Sequence, residues 1–167
     1  MLKKISLKSA ISELKKDNIE TETLNLVDTA LRVQGETRKI PQTKLYLNGL
    51  IELQDAGSQA LVAHLDCPKN GKVLDYCAGG GGKTLAIASR IFNDVSFSAY
   101  DKNQSRLKEL KIRAQRADIK VDLLKNDPVT GIKKYDLVIA SPGGFPKDIN
   151  LYQSQKAIHI HFLNYRL

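Results

Sequence analysis

The residues with the clearest chemical potential form a run near the middle of the chain, where an apolar stretch passes into four glycines. The run reads Asp75-Tyr76-Cys77-Ala78-Gly79-Gly80-Gly81-Gly82-Lys83-Thr84. Glycine lets a backbone approach a ligand closely, and the N–H groups at the start of a helix attract anionic groups. Four successive glycines exceed what a tight strand-to-helix turn requires. The run therefore predicts a loop that holds a nucleotide-like or carboxylate-bearing cofactor.

Three carboxylates come at or after the ends of successive predicted strands: Asp75, Asp101 and Asp127. A nucleoside site on a Rossmann-like sheet needs an acid at the end of the second strand, where it accepts hydrogen bonds from ribose hydroxyls. Asp101 has that position, and Asp127 is placed where it could bond an adenine amino group. The three acids suit a cofactor that carries an adenosine and a cationic centre. S-adenosylmethionine fits that description better than a dinucleotide does.

Local structural roles also account for two of these acids taken singly. Asp101 could cap a helix that starts near Asn103, and Asp127 could form a turn with Pro128. Each of these explanations is plausible by itself, whereas three acids at successive strand ends favour a ligand site.

A phosphate-binding P-loop is the competing interpretation of the glycine run, because Gly82-Lys83-Thr84 imitates the end of that motif. The P-loop pattern requires a glycine where this chain has Cys77. The fourth predicted strand also ends in Ala140-Ser141, without the acidic residue that would hold magnesium. Both departures count against a nucleotide hydrolase.

The elements that must position these residues alternate regularly after residue 50. Apolar runs predict four strands, and three-and-four spacing of apolar residues predicts the helices between them. The predicted strands are 72–76, 95–100, 121–124 and 135–140, and the predicted helices are 55–65, 83–92 and 103–117. This alternation predicts an α/β fold with a doubly wound parallel sheet, in which ligands bind at the carboxyl ends of the strands.

The first 50 residues read differently and contain no catalytic constellation. Residues 9–16 predict a short helix, and Pro41 interrupts any regular element around it. We expect residues 1–50 to form a small α+β appendage, residues 51–140 the cofactor-binding domain, and residues 141–167 a divergent tail.

The composition is that of a basic globular protein. The 167 residues carry 26 Lys and Arg against 18 Asp and Glu, a formal net charge of +8. Such an excess favours polyanionic partners, although a solvated surface explains it as well.

No apolar run is long enough to cross a bilayer, and the N-terminus lacks the apolar region of a signal peptide. Two cysteines are too few for a disulfide framework or a four-cysteine metal site, so we expect a cytoplasmic protein.

Two motifs resemble the RsmB/Sun/NOL family of RNA 5-methylcytosine methyltransferases, which includes bacterial small-subunit ribosomal RNA enzymes. They are residues 48–59, read as NGLIELQDAGSQ, and residues 75–84, read as DYCAGGGGKT. The resemblance covers about residues 20–140. It implies a Rossmann-like class I methyltransferase core, which is incomplete in this chain. It also implies that a small RRM-like appendage precedes the core and that residues 1–50 are its remnant. It further implies that Cys77 to Lys83 hold the methionine end of S-adenosylmethionine, Asp101 the ribose and Asp127 the adenine, and that the substrate is RNA, expected to be ribosomal.

The family pattern breaks after the fourth strand. The family attacks cytosine with a cysteine thiolate in an Asp-Ala-Pro-Cys-Ser-Gly stretch, whereas this chain has Ser141-Pro142-Gly143-Gly144-Phe145. No cysteine follows Cys77, and the family does not use the cysteine of the cofactor loop as nucleophile. A thiolate both attacks and leaves readily, so its loss removes the covalent step.

We therefore expect a truncated or frame-disrupted family member with no catalytic residue of its own and little methyltransferase activity. The alternative is a non-catalytic remnant that binds cofactor or RNA. His159 and His161 alternate in the tail as two metal ligands on a strand could. Because no third ligand is near them in the sequence, we interpret them as incidental.

Overall fold

The computed structural model describes residues 5–25, 27–91, 95–129 and 134–140, and the backbone of residues 157–159. The chain divides into two compact units. The first comprises Met1–Leu65 with Gln115–Ile119, and the second comprises Asp66–Ala114 with Lys120–Leu167.

The first unit combines short helices with a small antiparallel sheet. Helix α1 (Leu7–Lys16) starts at Ser6, whose hydroxyl accepts a hydrogen bond from the Ser9 N–H. Strands β1 (Thr21–Thr23) and β2 (Leu31–Val33) pair antiparallel. A 3₁₀ turn (Thr37–Gln42), helix α2 (Lys44–Leu47) and helix α3 (Ala56–Ala63) complete the unit. Its buried core consists of Ala10, Leu14, Ile19, Ile40 and Leu45.

Two polar contacts fix the later part of this unit. Asp55 caps α3, as predicted, because its carboxylate accepts the Ser58 N–H at 2.8 Å. Arg116 donates from Nη2 to Glu52 Oε2 at 2.5 Å, and its guanidinium carbon lies 3.8 Å from the centre of the Tyr46 ring. The second contact ties residues 115–119 to this unit through an ion pair and a cation–π interaction.

The second unit is built on a parallel sheet of five strands. In chain order these are β3 (Gly71–Asp75), β4 (Val95–Ala99), β5 (Val121–Leu123), β6 (Leu137–Ala140) and β7 (Ala157–His159). Their spatial order is β5-β4-β3-β6-β7, with every neighbouring pair parallel. Helix α4 (Gly82–Arg90) connects β3 to β4, and helix α5 (Leu107–Arg116) lies between β4 and β5 in the chain.

The predicted Rossmann-like core is confirmed. The first four strands of this sheet fall within one or two residues of the predicted ranges. The first strand of this sheet along the chain, β3, lies at its centre. The next two strands, β4 and β5, are added on one side of β3, and β6 is then added on the other side. This reversal creates the topological switch point beside β3, where such sheets bind their ligands.

Two boundaries differ from the prediction. Helix α5 starts at Leu107 rather than near Asn103, because residues 102–106 form turns. Strand β7 lies in the segment that we expected to be a divergent tail, and it pairs with β6 in the register Ile139 to Ile158. Its three residues have no alternating pattern of their own, so the sequence did not predict a strand there.

Within the described residues, no helix is long and apolar enough to cross a membrane.

Candidate functional site

The glycine run forms the turn between the central strand β3 and helix α4. Gly79 and Gly81 have φ angles of +52° and +84°, in the left-handed region that non-glycine residues rarely adopt. The Gly81 N–H donates to the Ala78 carbonyl at 2.8 Å, which closes the turn. Gly81 is the N-cap of α4 and contributes no side-chain cap. The predicted strand and helix on either side of the glycine run are therefore confirmed, and the cofactor role of the loop stays a prediction.

Helix α5 packs directly against this loop. A Cβ on Gly81 would overlap the Leu110 side chain, and one on Gly80 would crowd the Glu109 carboxylate. Arg113 donates from Nη1 to the Gly80 carbonyl at 2.7 Å. The loop thus needs glycine on two counts, its backbone angles and the closeness of α5. Sequence reasoning missed this partner because α5 lies more than twenty residues further along the chain.

Asp75 is buried behind the loop. It is 2% exposed and accepts a hydrogen bond from the Thr84 hydroxyl at 2.7 Å. Burial raises the pKa of this carboxyl, against the opposing effects of the Thr84 hydroxyl, the Lys83 charge and the N–H groups of Cys77 and Thr84. The structure therefore separates Asp75 from the set of three ligand-facing acids that the sequence suggested. Asp75 holds the start of α4 against the end of β3.

The raised pKa of Asp75 predicts a specific pH dependence of stability. A carboxyl whose pKa is higher in the folded state contributes stability below its unfolded pKa and loses it as pH rises through the folded value. Asp75→Asn has no such titration. Relative to the wild type, its free energy of unfolding should therefore increase as pH rises from about 4 to 8. Urea unfolding across this range measures the difference.

A second variant tests the cause. Thr84→Val keeps the volume but removes the hydroxyl that stabilises the charged carboxylate, so it should lose more stability than the wild type as pH rises. A pH-independent difference between wild type and Asp75→Asn would contradict the assignment.

Asp101 is the acid that the structure brings to the glycine loop. Its side chain is nearly buried, the residue being 7% exposed. Its Oδ2 accepts the Gly79 N–H at 2.8 Å, and its Oδ1 accepts the Asn103 N–H at 2.8 Å. Arg106 Nη1 lies 3.8 Å from Oδ2. Asp101 therefore combines a local turn with a contact to the loop across 22 residues, and it does not cap a helix near Asn103 because α5 starts at Leu107.

Asp127 also has both a local and a distant partner. Its Oδ1 accepts the Val129 N–H at 2.9 Å, which is the predicted turn at Pro128. The Tyr76 hydroxyl donates to both carboxylate oxygens, at 2.9 Å to Oδ1 and 2.8 Å to Oδ2. No role for Tyr76 follows from the sequence, because nothing local to residue 76 indicates a partner at residue 127.

A cleft of about 360 Å³ opens beside Asp127. Its lining combines two lysines with Asp127 and an aromatic ring, and it consists of Leu124, Lys125, Asn126, Asp127, Pro128, Lys134 and Tyr135. Beneath Asp127, Tyr76 is 3% exposed and its ring lies 5.3 Å from that of Tyr100, centre to centre. Residues that follow β3, β4 and β5 thus contact one another close to the polar cleft.

The residues expected to hold a cofactor lie around this region. In the loop, Ala78, Gly79 and Gly81 are buried, whereas the remaining four are partly exposed: Cys77, Gly80, Gly82 and Lys83. Asp101 contacts Gly79 directly, and Asp127 contacts Tyr76, the neighbour of Cys77. The stretch Ser141 to Phe145 and His161 lie outside the described residues, as does the side chain of His159.

The geometry disfavours the P-loop interpretation. A P-loop uses the Ser/Thr hydroxyl after its lysine to bind a phosphate-bound magnesium ion. Here Thr84 is 1% exposed and donates its hydroxyl to the buried Asp75 carboxylate. That hydroxyl is committed to the fold, and it is shielded from any ligand on the loop.

Comparison with known proteins points to a methyltransferase. Residues 52–153, a range that includes the glycine loop, Asp101 and Asp127, match the family described as methyltransferase small domain. Over 152 residues, covering 84% of this chain, the sequence is 30% identical to a probable ribosomal RNA small subunit methyltransferase B of Synechocystis sp.. Over 102 residues, 56% of this chain, it is 35% identical to the 5-cytosine rRNA methyltransferase NSUN4 of Xenopus tropicalis. The chain covers 32% and 25% of the lengths of these two relatives.

A solved structure agrees in fold. The crystal structure of a methyltransferase homologue from Pyrococcus horikoshii superposes with a TM-score of 0.71 and 26% identity, over 83% of this chain and 48% of that one. The resemblance to the RsmB/NOL type is thus confirmed by similarity to proteins that are named as ribosomal RNA methyltransferases, and the chain belongs to the methyltransferase small domain family.

Proposed function

We propose that the second unit binds S-adenosylmethionine in the manner of an RNA cytosine methyltransferase. The observation that carries this proposal is Asp101, a nearly buried carboxylate that joins the end of β4 to the positive-φ glycine loop. An adenosine with an amino-acid tail needs a carboxylate for its ribose and backbone N–H groups for its own carboxylate. Asp101 and the loop at the start of α4 supply both.

The bonding capacity of Asp101 fits a ribose. An ionised carboxylate has about four acceptor sites, two on each oxygen. One site on Oδ2 is used by the Gly79 N–H, and one on Oδ1 by the Asn103 N–H. With these donors, the ones that the described part of the chain provides, each oxygen retains capacity for a further donor, and the two hydroxyls of a ribose are such a pair. The backbone contacts would hold the carboxylate in place before the ligand arrives, which lowers the ordering cost of binding.

The roles of the remaining residues follow from their positions. We propose that Cys77 to Lys83 hold the methionine end of the cofactor and that Asp127, on the wall of the cleft, contacts the adenine. When bound, the cofactor supplies a methyl group activated on a cationic sulfur. The chain's own contribution is to bind and orient the cofactor.

The proposed substrate is RNA, and the relatives' names favour ribosomal RNA, which would place the protein in the cytoplasm with ribosomes. The formal charge of +8 agrees with a polyanionic partner. The cysteine that the family uses as nucleophile has no counterpart in this sequence, since the two cysteines are Cys67 and Cys77. We propose that these 167 residues bind the cofactor but do not methylate cytosine unaided.

Calorimetric titration with S-adenosylhomocysteine, alongside ATP, tests the cofactor assignment. We expect saturable, one-to-one binding of S-adenosylhomocysteine and no heat from ATP with magnesium. Binding of ATP alone would restore the P-loop interpretation. If neither ligand binds while the chain unfolds cooperatively, the site is a structural relic and the proposal is wrong.

A methylation assay addresses the catalytic part. The chain should transfer no measurable methyl group to ribosomal RNA when it is the only protein added. Robust transfer that disappears in Cys77→Ala would show that the loop cysteine acts as the nucleophile, contrary to our expectation.

A further inference from the structure

Tyr76 is a buried tyrosine whose single hydroxyl proton is shared between both oxygens of Asp127. Packing fixes its ring, since Tyr76 lies among Leu74, Val138 and Ala140 and against the Tyr100 ring. Burial raises the pKa of this phenol, and the hydrogen bond to Asp127 raises it further, so the hydroxyl stays protonated and remains a donor near neutral pH.

The donors around Asp127 are unequally distributed. Among the residues that the structure describes, Oδ1 accepts from Tyr76 and from the Val129 N–H, whereas Oδ2 accepts only from Tyr76. With about two acceptor sites on each oxygen, Oδ1 is filled and Oδ2 keeps one site. Asp127 lines the cleft, but Tyr76 does not. The buried tyrosine thus contacts the carboxylate without lining the cleft that a ligand would enter.

We propose that Tyr76 is a positioning residue that presents Oδ2 of Asp127 to the exocyclic amino group of the cofactor's base. This inference rests on the proposed function, because it takes S-adenosylmethionine as the ligand. A carboxylate held by three hydrogen bonds cannot rotate to follow a different base. The arrangement therefore favours a purine that carries an amino donor over one that does not.

The test compares two ligands that differ only in this donor. They are S-adenosylhomocysteine and its deamino analogue, in which hydrogen replaces the amino group of the purine. Wild type should bind S-adenosylhomocysteine more tightly. In Tyr76→Phe, affinity for S-adenosylhomocysteine should fall about fivefold, whereas affinity for the deamino analogue should change less than about twofold.

A matched control is available in the same aromatic cluster. Tyr100→Phe also removes a phenol hydroxyl beside Tyr76 but leaves the Asp127 carboxylate with its three hydrogen bonds, so both affinities should stay near wild type. Equal losses for the two ligands in Tyr76→Phe would mean that the tyrosine only supports the fold, and the inference would be wrong.

A second variant keeps the test decisive if Tyr76→Phe folds poorly. In Asp127→Asn, Tyr76 and the Val129 N–H should hold the amide oxygen at the Oδ1 position and so turn the NH₂ group toward the ligand. This variant should lose the preference for the amino-bearing base and bind S-inosylhomocysteine, which carries a carbonyl there, at least as tightly as S-adenosylhomocysteine. A preserved preference for adenine would overturn the inference. Failure of wild type to bind S-adenosylhomocysteine at all would instead overturn the proposed function.

Discussion

Replacing Gly81 by alanine should lower the free energy of unfolding by about 2–5 kcal/mol and abolish binding of S-adenosylhomocysteine. Gly81 has a φ of +84°, and a left-handed backbone costs an alanine about 1–2 kcal/mol. The added methyl group would also overlap the Leu110 side chain, which is fully buried and cannot move aside freely. Overpacking of this kind costs about 1–3 kcal/mol. Urea unfolding and calorimetric titration measure the two effects.

Two other glycines separate these causes. Gly35 has a φ of +95°, and apart from its chain neighbours no atom of the described residues lies within 4 Å of where a Cβ would stand. Gly35→Ala should therefore show the backbone cost alone, about 1–2 kcal/mol. Gly80 belongs to the same loop as Gly81, and the atoms nearest to its added Cβ lie at the end of the flexible Glu109 side chain. Gly80→Ala should therefore cost less than Gly81→Ala. If all three variants lose the same stability, the close packing of α5 on the loop is not what requires Gly81.

Asp101→Ala should weaken binding of S-adenosylhomocysteine at least about a hundredfold, since two hydrogen bonds from ribose hydroxyls to a charged acceptor would be lost. The same substitution should lower the free energy of unfolding by about 1.5–3 kcal/mol, because the N–H groups of Gly79 and Asn103 lose their acceptor. Titration calorimetry gives the first quantity and urea unfolding the second.

The control for Asp101→Ala is Asp122→Ala, which removes the same charge from an exposed position on the neighbouring strand β5. It should leave both quantities near wild type. Asp101→Asn keeps one acceptor oxygen, so it should retain more stability than Asp101→Ala while still losing most of the affinity. Retention of cofactor affinity in both Asp101 variants would show that the ribose is held elsewhere.

Local features of the sequence predicted the elements and their order. Apolar runs such as Lys72 to Tyr76 mark strands, and Asp55 caps the helix that follows it, because both effects depend on residues within a few positions. The glycine run predicted a backbone-lined loop at the start of a helix for the same reason. The positions of Asp101 and Asp127 follow from this order, since parallel strands place their carboxyl ends at one edge.

Contacts across the fold decided what those residues do. Asp75 and Asp127 look equivalent in the sequence, yet one is buried under the Thr84 hydroxyl and the other lines a cleft. The partnership of Tyr76 and Asp127 spans 51 residues and exists only because β3 and the end of β5 approach the same edge. Strand β7 likewise forms because β6 offers it an edge to pair with.

The sequence by itself therefore determined the family, the α/β core and the place of the glycine loop between a strand and a helix, because each is encoded by neighbouring residues in a recognisable spacing. Only the tertiary structure separated the structural acid Asp75 from Asp101 and Asp127. Only it revealed that Tyr76 bonds Asp127 and that Leu110 packs against Gly81. Burial and hydrogen bonding depend on which side chains the fold brings together through space, and spacing along the chain does not record that.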